Sequence, residues 1–480
     1  GAQYSVDARL ARSASTSTKQ QTPHEVRASL CALRARIQAG DPDALRAGLA
    51  YFVGVPLTLL DDVLLMGPHD VDWIIAIDPR AGISYVDLSY LHSEMAQSEA
   101  TGPRCIAASA ILARPLPEFL HRALVDQLRV APGAETIDDL PRGAGITGRT
   151  ELIFEGSLGR IKASVARLYR ARGRVALESG LDRLRAALIT ADFSLIGKSI
   201  VHYVTVGRTC LWEAAQQYSD YISWGPVVSL SDGPAVGSAV TPLESTIRAL
   251  DAWSCTEVAR LRPGKRYTLS SLEGHHNTYT LAVAQRIHFL LGGREQAPLK
   301  YTSADFTSAQ AMLAIPDKRA GVYRGLLPVA LLTFVAEQVA LYRAHCVALD
   351  RRLAHIGIPS DDARRQYLAT VAGFVDAPLF CTFANAAITP IGTADLRDFF
   401  GPDRALAPDA GRKYWATLLA NSGCSTSDVE AYLRHSSAGF HRLGVTSLYA
   451  LGDTARRVAM VIDRAILDMG WRPLVGIARR

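Results

Sequence analysis

Apolar residues in "EVRASLCALRARIQAG" (residues 25–40) recur at three- and four-residue spacing, which predicts an amphipathic helix ending at Gly40. "DPDALRAGLAYFVG" predicts a second helix, with Asp41 or Asp43 as its cap. The pattern then becomes strand-like. "VDWIIAIDP" and "ISYVDLSYL" read as strands joined by the turn "PRAG", and "CIAASAILARPL" as a further extended piece. "PEFLHRALVDQL" returns to helical spacing. Residues 131–150, rich in Gly, Pro and Asp, read as a linker, and residues 158–220 as strongly helical.

"SLSDGPAVGSAV" (residues 229–240) is the clearest break in the pattern. It divides the chain into a domain over 23–230 and another over 240–480. The Ser/Thr/Gln-rich residues 1–22 are expected to be disordered. Beyond the break, "PLESTIRALDAWSCTEVARL" and "YTLAVAQRIHFLLGG" predict helices, the second stopped by two glycines. "SAQAMLAIPDKRAGVYRGLLPVA" predicts a β-hairpin with Asp317, Lys318 and Gly321 near its tip, and "LLTFVAEQVALYRAHCVALDRRLAHIG" a long amphipathic helix. Residues 360–407 are mixed. "GRKYWATLLANSGCSTSDVEAYLRHSS" (Gly411–Ser437) reads as a helical hairpin, and "DTARRVAMVIDRAILDMGW" as a final amphipathic helix. The fold class is therefore mainly α with small antiparallel β-sheets, an α+β protein.

The two halves also rhyme. "GLAYFVGVPLTLL", then strands, then "LARPLPEFLHRAL" parallels "RIHFLLGGREQAPL", then strands, then "YRGLLPVALLTFVAEQV". "GRIKASVARLYRARG" faces "GRKYWATLLANSG", and "IVHYVTVG" faces "TSLYALGD". An internal duplication would make the first half a decayed copy of the second, with Tyr203 a relic. Repeated helix–sheet–helix order also arises by chance, and Tyr203 in an apolar run has an ordinary packing role.

Composition narrows the class. Of 480 residues, 49% are hydrophobic and 20% charged, so a packed protein is expected and a disordered one excluded. The net charge of +6 is mildly basic. Arg far outnumbers Lys, which suits forked contacts to phosphate but follows equally from GC-rich coding. Seven scattered cysteines, none in a C-x-x-C pair, argue against a disulfide framework or zinc site and fit a reducing cytoplasm. No apolar run is long enough to span a membrane: "GLLPVALLTFVAEQVALY" is interrupted by Pro328 and Glu337. No signal-peptide pattern is present.

Five polar residues of the second half stand in a suggestive order. Arg294 follows the helix-ending "LGG", Lys318 sits at the hairpin tip, Arg412 starts a helix, His435 ends the next one, and Tyr449 follows in "VTSLYALG". Singly, each has an ordinary reading. An arginine after a helix complements its dipole, a hairpin lysine is solvated, a helix-end histidine caps or packs, and a tyrosine in an apolar run is core.

Together they resemble the catalytic domain of tyrosine recombinases, the phage-integrase superfamily, over about residues 240–480. "GGREQAPLKYTSADF" supplies the first arginine, Arg294, with Asp305 at the family's spacing. "IPDKRAGVYRGLLPVALL" supplies the hairpin lysine, Lys318, and the turn into a helix. Arg412 matches the arginine of the "H..R" piece, "LRHSS" matches "LGHSS" and so gives His435, and Tyr449 matches the nucleophile. The nearest likeness is to large integrase-like proteins of bacterial mobile elements, which carry phrases like "HN..T.Y" and "LGWRPL"; here stand "HHNTYTLAVAQRIHFLLGGR" and "LDMGWRPL". Three departures stand out. Ala297 replaces the acidic residue three positions after Arg294, Asp409 replaces the histidine three before Arg412, and the gap to Tyr449 is long.

The resemblance implies a C-terminal recombinase catalytic fold in which Tyr449 attacks DNA and leaves a 3′-phosphotyrosine. Arg294 and Arg412 would clamp the phosphate, Lys318 would serve as general acid, and His435 would hydrogen-bond the phosphate. No cofactor or metal is required. It further implies double-stranded DNA as partner, clamped with help from the N-terminal half, a homo-oligomer (a tetramer on paired sites), no membrane, and the bacterial cytoplasm at the nucleoid. Asp409 has two readings, a cap for the helix of Arg412 or an orienting partner within the site. Three functions stay open: a site-specific recombinase or integrase, a catalytically impaired integrase-fold DNA-binding protein, and an interaction protein with no nucleic-acid role.

Overall fold

The structure is a computed structural model that describes residues 23–55, 57–65, 74–90, 104–143, 151–156, 159–196, 200–230, 233–306, 312–316, 326–330, 332–373, 377–434 and 451–478. The segment 1–22 expected to be disordered lies outside the described residues. Helices dominate, with small sheets that are mostly antiparallel, as an α+β protein requires. The chain divides into two compact units, and the main division falls between Ala239 and Val240; residues 104–106 belong to the second unit.

The first unit runs α1 (Pro23–Gln38), α2 (Pro42–Val53), α3 (Leu57–Leu60), β1 (Ile75–Asp78), β2 (Ile83–Asp87), β3 (Ala108–Ser109), β4 (Ile111–Pro115), α4 (Glu118–Val130), β5 (Glu151–Gly156), β6 (Gly159–Ser164), α5 (Val165–Glu178), α6 (Arg183–Thr190), α7 (Ile200–Tyr203), β7 (Thr205–Val206), α8 (Arg208–Tyr221) and β8 (Ala235–Gly237). Of the two cap candidates for α2 it is Asp41 that accepts from the amides of Asp43 and Ala44, at 3.0 and 3.1 Å. Helix α2 is buried nearly throughout. Its Tyr51 and Phe52 rings pack on Trp224, and Tyr51 shares a 2.6 Å hydrogen bond with Tyr218 of α8. Strands β1, β2 and β4 form an antiparallel sheet that continues the predicted hairpin.

One expectation fails in this unit. The stretch read as helical from residue 158 instead pairs β6 with β5 in an antiparallel ladder from Glu151↔Ser164 to Gly156↔Gly159, and helix begins only at Val165. Apolar "LIF" and glycines bracketing the connection outweigh the helical pattern that follows. This also separates two segments that the duplication aligned. "GRIKAS" is strand, whereas "GRKYWA" of the second half is helix. Tyr203 is buried at the end of α7, in ring contact with His202, as packing requires.

The second unit runs α9 (Glu244–Arg260), α10 (Leu269–Leu290), β9 (Met312–Pro316), β10 (Leu326–Ala330), α11 (Thr333–His355), α12 (Ala363–Ala372), β11 (Cys381–Ala384), β12 (Ala387–Pro390), α13 (Thr393–Phe400), α14 (Ala410–Asn421), α15 (Thr426–Tyr432) and α16 (Leu451–Asp468). Helix α10 is its axle. It is buried on all sides, packed by α9, α11, α13, α14 and β11. A helix so placed must satisfy its polar side chains internally. Asn277 does so by exchanging two 2.8 Å bonds with the backbone of Phe383 in β11. Arg286 pairs with Asp251 of α9 at 2.5 Å.

The same axle seats the C-terminal tail. Arg286 donates to the Arg472 carbonyl (2.8 Å) and Tyr279 to the Leu474 carbonyl (2.9 Å). The Gln338 amide of α11 reads both backbone groups of Leu474, at 3.0 and 2.7 Å. The Ile477 amide donates to His345 Nδ1 at 3.2 Å. That fixes a chain of tautomers: His345 must carry its proton on Nε2, 3.1 Å from His276 Nδ1, and His276 then donates to the Cys381 carbonyl at 3.2 Å. A Cβ at Gly476 would run into the His345 ring, so the tail can approach this closely only through glycine. Among the described residues, no helix is long and apolar enough to cross a membrane.

Candidate functional site

Helix α14 begins at Ala410 and crosses the end of α10 at very close range. A Cβ at Gly411 would collide with the Phe289 carbonyl oxygen, so a glycine there lets the two backbones touch. The next residue, Arg412, is thereby pushed into the interior and is fully buried. Its Nη1 donates to the Gly292 carbonyl at 3.4 Å, and its Nη2 to the Leu433 carbonyl. One guanidinium thus ties the loop leaving α10, two positions before Arg294, to the end of α15, two positions before His435. Arg294 itself is half-buried.

Described segments on either side of the remaining candidates pack near this junction. Strands β9 and β10 pair from Leu326↔Pro316 to Ala330↔Met312, forming the predicted hairpin, and β10 lies against α15 and α16. Helix α16, which begins two residues after Tyr449, packs on α14 and α15, with Arg457 bonded to Asp428 at 2.7 Å. Lys318, His435 and Tyr449 themselves lie outside the described residues.

Several residues that sequence reasoning passed over shape this junction. Arg434, inside "LRHSS", holds a left-handed backbone (φ 56°). That is the conformation glycine adopts readily, and glycine is what the "LGHSS" phrase carries there. Arg434 offsets the strain through its side chain: Nη1 and Nη2 donate to the Leu291 and Gly292 carbonyls at 3.2 and 2.5 Å. Tyr432 adds a 3.2 Å bond to the Leu290 carbonyl. The last carbonyls of α10, negative by the helix dipole, are thus covered by two cations and a hydroxyl. Burial raises the pKa values of Tyr432 and Tyr301, and both arginines oppose that rise. His288, in the last turn of α10, faces the Tyr301 hydroxyl at 3.2 Å. Burial lowers its pKa to about 4, so it is neutral at pH 7.

Asp409 does not cap the helix of Arg412. It occupies the N-cap position of α14, but its side chain makes no capping bond. Its backbone is at φ −101°, ψ 8°, not the extended conformation that aims a cap side chain at the first amides. The carboxylate instead pairs with the buried Lys413 at 3.1 Å. Asp305 accepts from the Thr302 amide at 2.7 Å and closes its own short turn. The phrases "HHNTYT" and "MGWRPL" prove to be partners: Tyr279 of the first bonds Leu474 of the second. They build the tail seat along α10, and the second phrase also reaches α14: the Tyr414 hydroxyl donates to the Met469 sulfur at 3.7 Å, and Trp471 packs on Phe289.

Compared with protein-family models, curated proteins and solved structures, the chain finds no match in any of the three.

Proposed function

We propose that the chain is a DNA strand transferase of the tyrosine-recombinase kind, a site-specific recombinase or integrase. The observation that carries this reading is the Arg412 guanidinium, which joins the chain just before Arg294 to the chain just before His435. The hairpin and the helix following Tyr449 pack around the same junction. In the proposed reaction the Tyr449 oxygen attacks phosphorus in line with the 5′ oxygen. The P–O5′ bond breaks, Lys318 gives the departing oxygen a proton, and the 3′-phosphotyrosine keeps the bond for religation. Arginines suit the charge that builds on the phosphate because they cannot lose their proton.

A specific observation favours a second reading, an impaired integrase-fold DNA-binding protein. Arg412 has 0% exposure and gives donors to two carbonyls, and Asp409 is bound to Lys413 where the family keeps a histidine. A nicked suicide duplex built from DNA flanking the coding sequence separates the two. Strand transfer predicts an adduct that survives denaturation and vanishes in Tyr449→Phe. Duplex binding that weakens with salt, with no adduct, selects the second reading.

A further inference from the structure

We propose that the end of the second unit opposite the arginine junction is a separate nucleic-acid surface, gripping the phosphate backbone. The loop after α9 reads "RLRPGKRY" (residues 260–267), and its Arg262, Lys265 and Arg266 side chains are exposed. The C-terminal turn of α11 joins it. The Arg352 guanidinium lies 5.0 Å from the centre of the Tyr267 ring, and His355 stands 6.4 Å from that ring. Arg262 and Arg352 both act electrostatically on His275 in the first turns of α10, so loop and helix end form one continuous patch. Exposed Arg351 extends it.

The carboxylates of this end are largely committed elsewhere. Glu257 holds Arg260, Asp350 holds Arg365, and Glu273 and Asp362 hold Arg364. Asp361 is exposed at the turn before α12. Among the described residues, no ion pair engages Arg262, Lys265, Arg266, Arg351 or Arg352. A patch of arginines around a tyrosine, with its charge left over, suits a polyanion whose phosphates accept forked bonds.

Its position argues for a duplex. The two sites sit at opposite ends of α10, whose 22 residues span about 33 Å at the rise of an α-helix. A B-form duplex repeats its backbone every ~34 Å. The proposal rests on DNA being the partner, as in either reading above, but not on cleavage.

The test is anisotropy of a 30-base-pair duplex of arbitrary sequence (about three turns), titrated with the full chain across a salt series. Charge reversal by Arg262→Glu, Lys265→Glu and Arg266→Glu is expected to lower the log–log salt slope by about 2–3, since each phosphate contact contributes about 0.9. Affinity should fall at least tenfold while the melting temperature holds. Arg351→Glu, made separately, should lower the slope by about 1. An unchanged slope in both variants overturns the proposal. So does a parent chain that ignores duplex but binds anionic phosphatidylserine vesicles. A chain that binds DNA with the expected slopes yet forms no Tyr449 adduct would sink strand transfer and leave this surface standing.

Discussion

Both units bury arginines against the carbonyl ends of helices, and they do so differently. In the first, Arg114 of β4 is fully buried and reaches the end of α2 at the Phe52 and Val53 carbonyls (3.5 and 2.6 Å) and the end of α6 at the Ile189 carbonyl (3.1 Å). Arg172 continues along α6, donating to the Thr190 and Ala191 carbonyls at 2.9 and 3.5 Å. In the second unit, Arg412 and Arg434 cover the end of α10. One arrangement staples two helices inside a core. The other closes a junction from which the chain runs on to Arg294 on one side and His435 on the other. A buried guanidinium facing carbonyls is therefore no sign of chemistry in itself. What distinguishes Arg412 is where the segments it joins lead.

The largest expected effect tests that distinction directly. Arg114→Met leaves three buried carbonyls without a donor and should destabilise by about 3 kcal/mol or more in urea unfolding, with no specific effect on DNA chemistry. Arg412→Met removes the donor to the Leu433 carbonyl and one of two donors to the Gly292 carbonyl, and should destabilise by about 1–2 kcal/mol. If it also clamps phosphate, adduct formation under native conditions should fall by at least ~100-fold, far beyond what the stability loss explains. Parallel loss of stability and adduct in Arg412→Met would reduce it to a second Arg114.

Acid should separate the units next. Burial lowers the pKa values of His275 and His288 to about 4 and of His276 to about 3, and holds His345 well below its ordinary value; all four lie in the second unit. Above pH 6.5 both folded and unfolded chains are neutral at these sites. Below it the unfolded chain takes up protons that the folded one refuses, so stability falls as pH drops from about 6.5 toward 4. Hydrogen exchange at pH 5 should show amides of α10 and α11 losing protection before those of α2 and α8. His276→Gln should flatten the dependence, and a pH-independent pattern would contradict neutral histidines.

The smallest effect concerns the residue that departs from the glycine of "LGHSS". Arg434→Gly relieves a left-handed backbone, worth about 1 kcal/mol, and loses bonds to two carbonyls worth about 1 kcal/mol each. A net loss of about 1 kcal/mol in the urea midpoint is expected. A much larger loss would make the side chain an indispensable staple.

The sequence made most helices and the hairpins around Lys318 and "PRAG" legible, because their periodicity and turn residues are local. It missed β5–β6, where strand chemistry is brief and a long helical pattern follows at once. In the site it ordered the polar residues but could not tell that Arg412 faces carbonyls, since burial depends on the Gly411–Phe289 contact 122 positions apart. Nor could it foresee the pairing with Lys413, which takes the place of the cap expected of Asp409. The "HHNTYT" and "MGWRPL" phrases looked like marks of a site and turn out to hold the tail. Nothing in either phrase, taken alone, distinguishes a ligand from a seam.

The tail seat has a consequence for how this chain can drift. Gln338, Tyr279, Arg286 and His345 grip main-chain atoms of residues 472–477, the amides of Leu474 and Ile477 among them, which every amino acid except proline supplies. The grip therefore fixes the path, while the buried side chains of Leu474 and Ile477 constrain the spelling at their own positions. Trp471, buried against Phe289 and Phe334, Gly476, with no room for a methyl group, and the buried Leu474 and Ile477 are the positions where a library of random tails should converge.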